Sequence, residues 1–110
     1  MIVLVHTDHN IENLDGLSAR ITRVVKDALS HRSNNITRVE VHVSDEDSDK
    51  KHSGGQMRCV LEARLEGRGP LAVTNHDATV LEATVGAVHK LVKLIDHTLD
   101  RANDLAPLRT

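Results

Sequence analysis

Basic side chains recur along one side of a long apolar segment near the C-terminus, at a spacing that suits contact with phosphate. They fall at i, i+3, i+7 and i+11, and we call them the C-terminal stripe: Lys90, Lys93, His97 and Arg101. On a helix of 3.6 residues per turn, these positions lie within an arc of about 80°. Lysine and arginine that bind phosphate release condensed counterions, so this stripe predicts salt-sensitive binding to a nucleic acid.

A second basic cluster lies in an earlier apolar segment. It comprises Arg20, Arg23 and Lys26, which we call the N-terminal cations. If both segments are helices on the same face of a sheet, we expect the two clusters to line one groove for structured RNA, recognised by its shape. The alternative is that both are solvated helix faces, with Asp96 beside Lys93 as one neighbouring charge pair.

The composition of the whole chain limits the kind of nucleic-acid binding. The 110 residues include no Phe, Trp or Tyr, and the formal net charge is −2. Modules that stack single-stranded bases on aromatic rings are therefore excluded. A slightly negative molecule also has no global positive field that attracts nucleic acid. Any nucleic-acid surface must be a local patch.

Histidines and acidic residues raise the question of a metal site. His6 with His9, or His89 with His97, are candidate ligands, but no carboxylate or cysteine stands at ligand spacing beside them. We therefore expect surface histidines and no metal. The acidic segment 45–49 begins like a calcium loop, but position 50 is lysine where glycine is needed. That segment is predicted to be a solvated loop.

Enzymatic chemistry has little support in the sequence. The single cysteine, Cys59, falls on the apolar side of a predicted strand, where a thiol is inert packing. Neither a nucleophile elbow nor a phosphate-binding or dinucleotide-binding glycine pattern occurs. We predict no catalytic residue, cofactor or small-molecule substrate.

One cysteine fits a reducing compartment, and no apolar stretch approaches the roughly 18 residues of a membrane span, so a cytoplasmic location is expected.

Alternating apolar and polar residues predict the strands that position these side chains. The predicted strands are Ile2–Val5, Ile36–Ser44, Met57–Leu65 and Leu71–Thr74. The polar side of the middle two carries Arg38, Arg58 and Arg64, which we rank as secondary RNA contacts. Cross-strand ion pairs with neighbouring glutamates are the alternative explanation for these arginines.

Helical periodicity predicts the two segments that carry the basic clusters. The first helix begins at Leu14 after Asn13 as N-cap, and buries a stripe of seven residues: Leu14, Leu17, Ile21, Val24, Val25, Ala28 and Leu29. The second runs from about Thr79, which has capping-box spacing to Glu82, to about Asn103. Its predicted buried stripe is Leu81, Val85, Val88, Leu91, Val92, Ile95 and Leu99.

The order of elements is β-α-β-β-β-α, which predicts an α+β fold. We expect one four-stranded mixed sheet with two helices packed on one face. The length suits a single domain over residues 1–104, followed by a short frayed tail at 105–110.

In this order, the residues resemble the ribosome hibernation-promoting factor and ribosome-associated inhibitor family, in a short, sigma-54 modulation protein-like form. The resemblance lies in Asn10-Ile11-Glu12, in the strands 37–43 and 58–65, and in Lys90-Leu91-Val92-Lys93. It covers residues 2 to about 102.

The resemblance implies a stress-response protein that binds the decoding region of the 30S ribosomal subunit. There it would contact 16S rRNA and block translation without making or breaking a bond. The near-neutral charge, with His9 and Ser18 at positions that are often basic in the family, leaves one alternative. That alternative is a protein–protein or stress-adaptor module of the same fold that has lost RNA binding.

Overall fold

The secondary structure follows the predicted order of elements. The computed structural model describes residues 1–8, 11, 16–46 and 56–105, with side chains as far as Arg101. The strands are β1 Ile2–Thr7, β2 Ile36–Asp45, β3 Met57–Leu65 and β4 Pro70–Asp77. The helices are α1 Leu17–Ala28 and α2 Val80–Leu105, and a 3₁₀ helix, Ser30–Asn35, lies between α1 and β2. The predicted α+β order is confirmed.

The four strands form one mixed sheet in the order β1-β2-β3-β4. β1 pairs with β2 in parallel, with Val3 beside Val39, whereas β2–β3 and β3–β4 are antiparallel. β1 and β4 are therefore the two edges of the sheet. α1 packs against β1 and α2, and α2 packs against β3 and β4, so each helix covers its own half of the same face.

The core lies between this face and the helices, and it contains no aromatic ring. The sheet contributes alternate residues of β2 and β3, among them Val39, Val41 and Leu61, all fully buried. The helices contribute the residues Ile21, Val25, Leu29, Ala83, Ala87, Val88, Leu91 and Ile95. The prediction of two helices on one sheet face is confirmed. None of the helices in the described part of the chain combines the length and hydropathy that a bilayer crossing requires.

Two secondary-structure elements, β4 and α1, begin or end at residues other than those predicted. β4 continues past Thr74 to Asp77 because β3 offers pairing partners as far as Met57, opposite Asp77. α1 begins at Leu17 after Gly16, which has φ 83°. The predicted cap Asn13, Leu14, most of the acidic loop (47–55) and the tail beyond residue 105 lie outside the described residues.

The buried side of α2 differs from the predicted stripe near its start, where Ala83, Thr84 and Ala87 are fully buried although they were not predicted to be. Val85, expected in the core, is 39% exposed, and its neighbour Thr84 is fully buried instead. The Thr84 hydroxyl donates to the Val80 carbonyl at 2.8 Å, which satisfies its polar group inside the core. Thr79 is confirmed as the N-cap, because the Glu82 N–H donates to Thr79 Oγ1 at 3.1 Å, whereas the Glu82 carboxylate accepts from the Thr79 hydroxyl at 3.0 Å.

Gly86 allows α2 to lie close to β4. The Asn75 side chain of β4 donates from Nδ2 to the Ala83 carbonyl at 3.1 Å and passes directly over Gly86. A Cβ at Gly86 would overlap the Asn75 amide nitrogen. Glycine is therefore required here by the close approach of a side chain and not by its backbone conformation.

We predict that Gly86→Ala destabilises the protein, although alanine in a helix interior normally gains about 1 kcal/mol over glycine. The overlap with Asn75 should instead cost about 1–3 kcal/mol of unfolding free energy, the usual range for overpacking. Urea unfolding of Gly86→Ala, Asn75→Ala and the double variant measures it. In the Asn75→Ala background the alanine should become neutral or stabilising; an equal loss in both backgrounds would contradict this explanation.

Candidate nucleic-acid interface

The C-terminal stripe begins, at Lys90, on the side of α2 that faces the edge strand β4. All four of its residues are exposed. Lys90 Nζ donates to the Thr74 carbonyl oxygen at 2.9 Å, which fixes this side of the helix beside β4. The partner is a neutral carbonyl, so the ammonium keeps its charge uncompensated.

The opposite flank of α2 faces the segment that follows α1. Arg32, in the 3₁₀ helix, donates from Nε and Nη2 to the two carboxylate oxygens of Asp96 at 2.6 and 2.7 Å. Asp96 and Lys90 are six residues apart, which places them about 120° apart around the helix. Lys90 therefore lies on the side of α2 away from Asp96, whereas Lys93 lies between these two sides.

The N-terminal cations lie on the outer surface of α1. Arg20, Arg23 and Lys26 are exposed, whereas Ile21 and Val25 of the same helix are fully buried. Arg20 and Arg23 border a shallow depression of about 310 Å³. The single groove formed by both clusters stays a prediction, since Lys90 contacts β4 while Lys93, three residues before Asp96, lies only about 60° from the α1 side of the helix. Both clusters lie on the outer surface of the helical layer.

These cations are not neutralised by carboxylates. In the described part of the chain, no ion pair involves any of the N-terminal cations, Lys93 or Arg101. The alternative pairing of Lys93 with Asp96 does not form, because Arg32 holds both oxygens of that carboxylate. Arg32 was not predicted to make this contact, because the 3₁₀ helix in which it lies shows no periodic pattern of apolar residues.

The ion pair between Arg32 and Asp96 changes the acidity of both groups. The hydrogen bonds from Arg32 hold the pKa of Asp96 below its ordinary value, and those same bonds raise the pKa of Arg32. Their side chains are 24% and 45% exposed, so solvent screens the attraction and limits its contribution to about 1 kcal/mol. The pair joins α2 to the end of α1 and orients both basic surfaces.

The three arginines predicted on the open face of the sheet do not share one explanation. Arg38 Nη2 lies 3.2 Å from Glu40 Oε2 on the same strand. The strand register places Arg38 opposite Arg64, so like charges face each other across the strands. Among the described residues, Arg58 and Arg64 have no carboxylate in ion-pair distance. Cross-strand ion pairs therefore do not account for them.

A cluster that the sequence analysis missed lies beside Arg38. Glu40 Oε1 is 3.3 Å from His6 Nε2 and 3.7 Å from His42 Nε2, and the two imidazole rings stack with centroids 4.7 Å apart. The expectation that no carboxylate lies near His6 is wrong. Alternation along β2 indicates that Glu40 and His42 share a face, but only the parallel register brings His6 beside them. His9, its predicted partner, is outside the described residues.

Cys59 is fully buried, as its position on the apolar strand face predicts. Burial raises the pKa of its thiol to about 11, and a hydrogen bond with Thr84 only partly opposes this effect. Very little of the Cys59 side chain is therefore in the reactive thiolate form at neutral pH.

Comparison with solved structures finds proteins of the same fold. The chain superposes on the N-terminal domain of Protein Y from Thermus thermophilus with a TM-score of 0.63 at 16% identity, covering 88% of this chain and 94% of that one. A ribosomal subunit interface protein from Coxiella burnetii gives a TM-score of 0.62 at 11% identity, covering 90% and 99%.

The chain shares the fold of these two proteins. No protein-family model and no curated protein matches its sequence. The residue patterns predict a β-α-β-β-β-α fold, which the structure confirms, and the fold shared with Protein Y agrees with the family resemblance found in the sequence.

We predict that Asp96→Asn lowers the free energy of unfolding at pH 7 by about 1 kcal/mol. Because the pKa of Asp96 is lowered by folding, its stabilisation is present above the ordinary value of 3.8 and is lost as pH falls through the lower folded-state value. Denaturant unfolding between neutral and acidic pH should show the variant and wild type converging. Asp100→Asn, on the same helix, is the control; a constant difference at every pH would contradict the assignment.

We expect Cys59 to resist alkylation in the native protein at pH 8, because the thiol is buried and has a pKa of about 11. Iodoacetamide labelling followed by mass spectrometry should modify it only after denaturant unfolds the chain. A cysteine introduced at the exposed position Ser18 provides the accessible control. Labelling of Cys59 at the rate of that control would show that the strand face is open to solvent.

Proposed function

We propose that this chain is a ribosome-associated translation inhibitor that binds the decoding region of the 30S subunit. The observation that carries the proposal is the fold, which aligns over 99% of a protein described as a ribosomal subunit interface protein. The unpaired cations on the helical layer supply the second support, since ribosomal RNA is a dense array of phosphates.

The contacts we assign to 16S rRNA are electrostatic. The N-terminal cations and the C-terminal stripe would bind phosphates from the outer surface of the helices. Arg58 and Arg64 are secondary contacts on the sheet face, and Arg38 is weaker because Glu40 neutralises it. Each lysine or arginine bound to a phosphate releases condensed counterions, so affinity should fall with salt.

Inhibition on this account needs no catalytic group. A protein seated where mRNA and tRNA bind excludes them by occupying their space. The buried, unreactive Cys59 and the absence of any enzymatic motif in the sequence support a binding protein. We place its action in the cytoplasm during ribosome hibernation under stress, with no membrane or small-molecule partner.

The second candidate function is a protein–protein or stress-adaptor module that has lost RNA binding. The net charge of −2 favours it, because long-range attraction to RNA is weak. Salt separates the two candidates. Phosphate contacts weaken steeply as salt rises, whereas an apolar protein interface does not.

We predict that the protein sediments with 30S and 70S particles in sucrose gradients at low salt. The logarithm of its affinity for 30S subunits should fall linearly with the logarithm of salt concentration, with a slope of about −0.7 to −0.9 per phosphate contact. Lys93→Glu and Arg23→Glu should each weaken binding and reduce that slope by about 1.

Arg68→Glu is the matched control, because it reverses one exposed charge in the β3–β4 turn that belongs to neither basic cluster. Its binding should equal that of the wild type. Recovery of the wild-type protein only at the top of a low-salt gradient would contradict ribosome binding. Firm binding that is indifferent to salt would favour the protein–protein module.

A further inference from the structure

We propose that His6, Glu40 and His42 form a binding site for a zinc-class divalent cation on the open face of the sheet. The site lies where the edge strand β1 meets β2, on the face that the helices do not cover. None of its three ligands is among the residues assigned to ribosome binding, although Arg38 and Arg58 beside the site are secondary contacts in that proposal.

The parallel register of β1 and β2 assembles the three side chains. His6 stands directly opposite His42, and Glu40 precedes His42 by two residues, so that all three point to the same side of the sheet. Backbone hydrogen bonds between the strands hold this arrangement. The positions of the ligands are therefore set by the sheet and not by a loop.

The separations between the ligand atoms suit a bound metal. Nitrogen and oxygen ligands lie about 2.0–2.1 Å from zinc, which places neighbouring ligands of a tetrahedral site about 3.3 Å apart. Glu40 Oε1 lies 3.3 and 3.7 Å from the Nε2 atoms of His6 and His42. All three ligand atoms lie within 4.8 Å of one another. A cation can therefore bind once the two imidazole rings, now stacked 13° from parallel, rotate so that both Nε2 lone pairs point at it.

Arg38 holds the carboxylate in a suitable orientation. Its Nη2 lies 3.2 Å from Oε2 of Glu40, which leaves Oε1 directed at the two imidazoles. Outer hydrogen bonds of this kind orient metal ligands in known sites. The guanidinium also neutralises part of the carboxylate charge, so most of the affinity must come from imidazole nitrogen. That favours zinc, copper or nickel over magnesium and calcium, which prefer oxygen ligands.

The site is open enough for a solvent ligand. The side chains of His6 and His42 are 50% and 49% exposed, and that of Glu40 is 22% exposed. A groove of about 330 Å³ runs past both histidines toward Ser44 and Arg58. Three protein ligands with a free position that water fills is the usual arrangement of an open zinc site.

Calorimetric titration of the chelator-treated full chain with Zn²⁺ tests the proposal. We expect one ion per chain, with an affinity at least about tenfold weaker in His6→Asn, His42→Asn and Glu40→Gln. His76→Asn is the matched control. It removes an exposed histidine whose Nε2 lies 2.6 Å from Glu46 Oε1, but that pair has only two ligands and leaves the proposed site intact. The control should bind zinc as the wild type does.

Nitrogen NMR of the histidine rings in the wild-type protein detects zinc binding without any variant, so the result does not depend on whether the variants fold. The ring resonances of His6 and His42 should shift together at one equivalent of zinc, while those of His76 and His89 stay unchanged. Absence of zinc binding, or binding that persists at full strength in His42→Asn, would overturn the proposal. So would a shift confined to other histidines, because the three side chains would then be only a hydrogen-bonded cluster.

Discussion

Burial of one face of the sheet under two helices is the constraint on which the rest of the molecule depends. Without aromatic rings, the core is built from branched aliphatic side chains of β2, β3 and both helices, such as Val41, Leu61 and Ile95. Each such side chain contributes about 1.5–3 kcal/mol when it leaves water. Because this face of the sheet is covered by the helices, the basic clusters lie on the outside of the helices, and the arginines of β2 and β3 lie on the open face.

Two polar contacts join α2 to neighbouring elements. Arg32 attaches the α1 side of α2 through Asp96, and Lys90 attaches the other side to the edge strand through Thr74. The rotation of α2 about its axis is set by its buried residues, such as Ala87, Leu91 and Ile95, and these two contacts flank that buried side. Both basic clusters consequently lie on the outer surface of the helical layer. Such a surface suits a binding partner that surrounds the protein on several sides, as folded RNA does.

Much of this architecture was predictable from sequence periodicity. Alternation along β2 and β3 identified their buried residues, and capping chemistry placed the start of α2 at Thr79. What could not be predicted depends on contacts between distant residues. Packing of the helices on the sheet determines the 3₁₀ helix that carries Arg32 and the exposure of Val85. The register of β1 and β2 brings His6 close to Glu40. The exposure of the predicted RNA contacts follows from helical geometry, whereas their relative orientation does not.

The chain has the fold of a protein described as a ribosomal subunit interface protein, and its helices carry cations without a carboxylate partner among the described residues. We propose that these cations bind 16S rRNA in the decoding region. Hydroxyl-radical footprinting of 30S subunits with and without the protein tests that proposal directly. We predict that the protein protects decoding-region nucleotides in low salt and that this protection disappears at high salt. Protection confined to other regions of the subunit, or none at saturating protein, would contradict it.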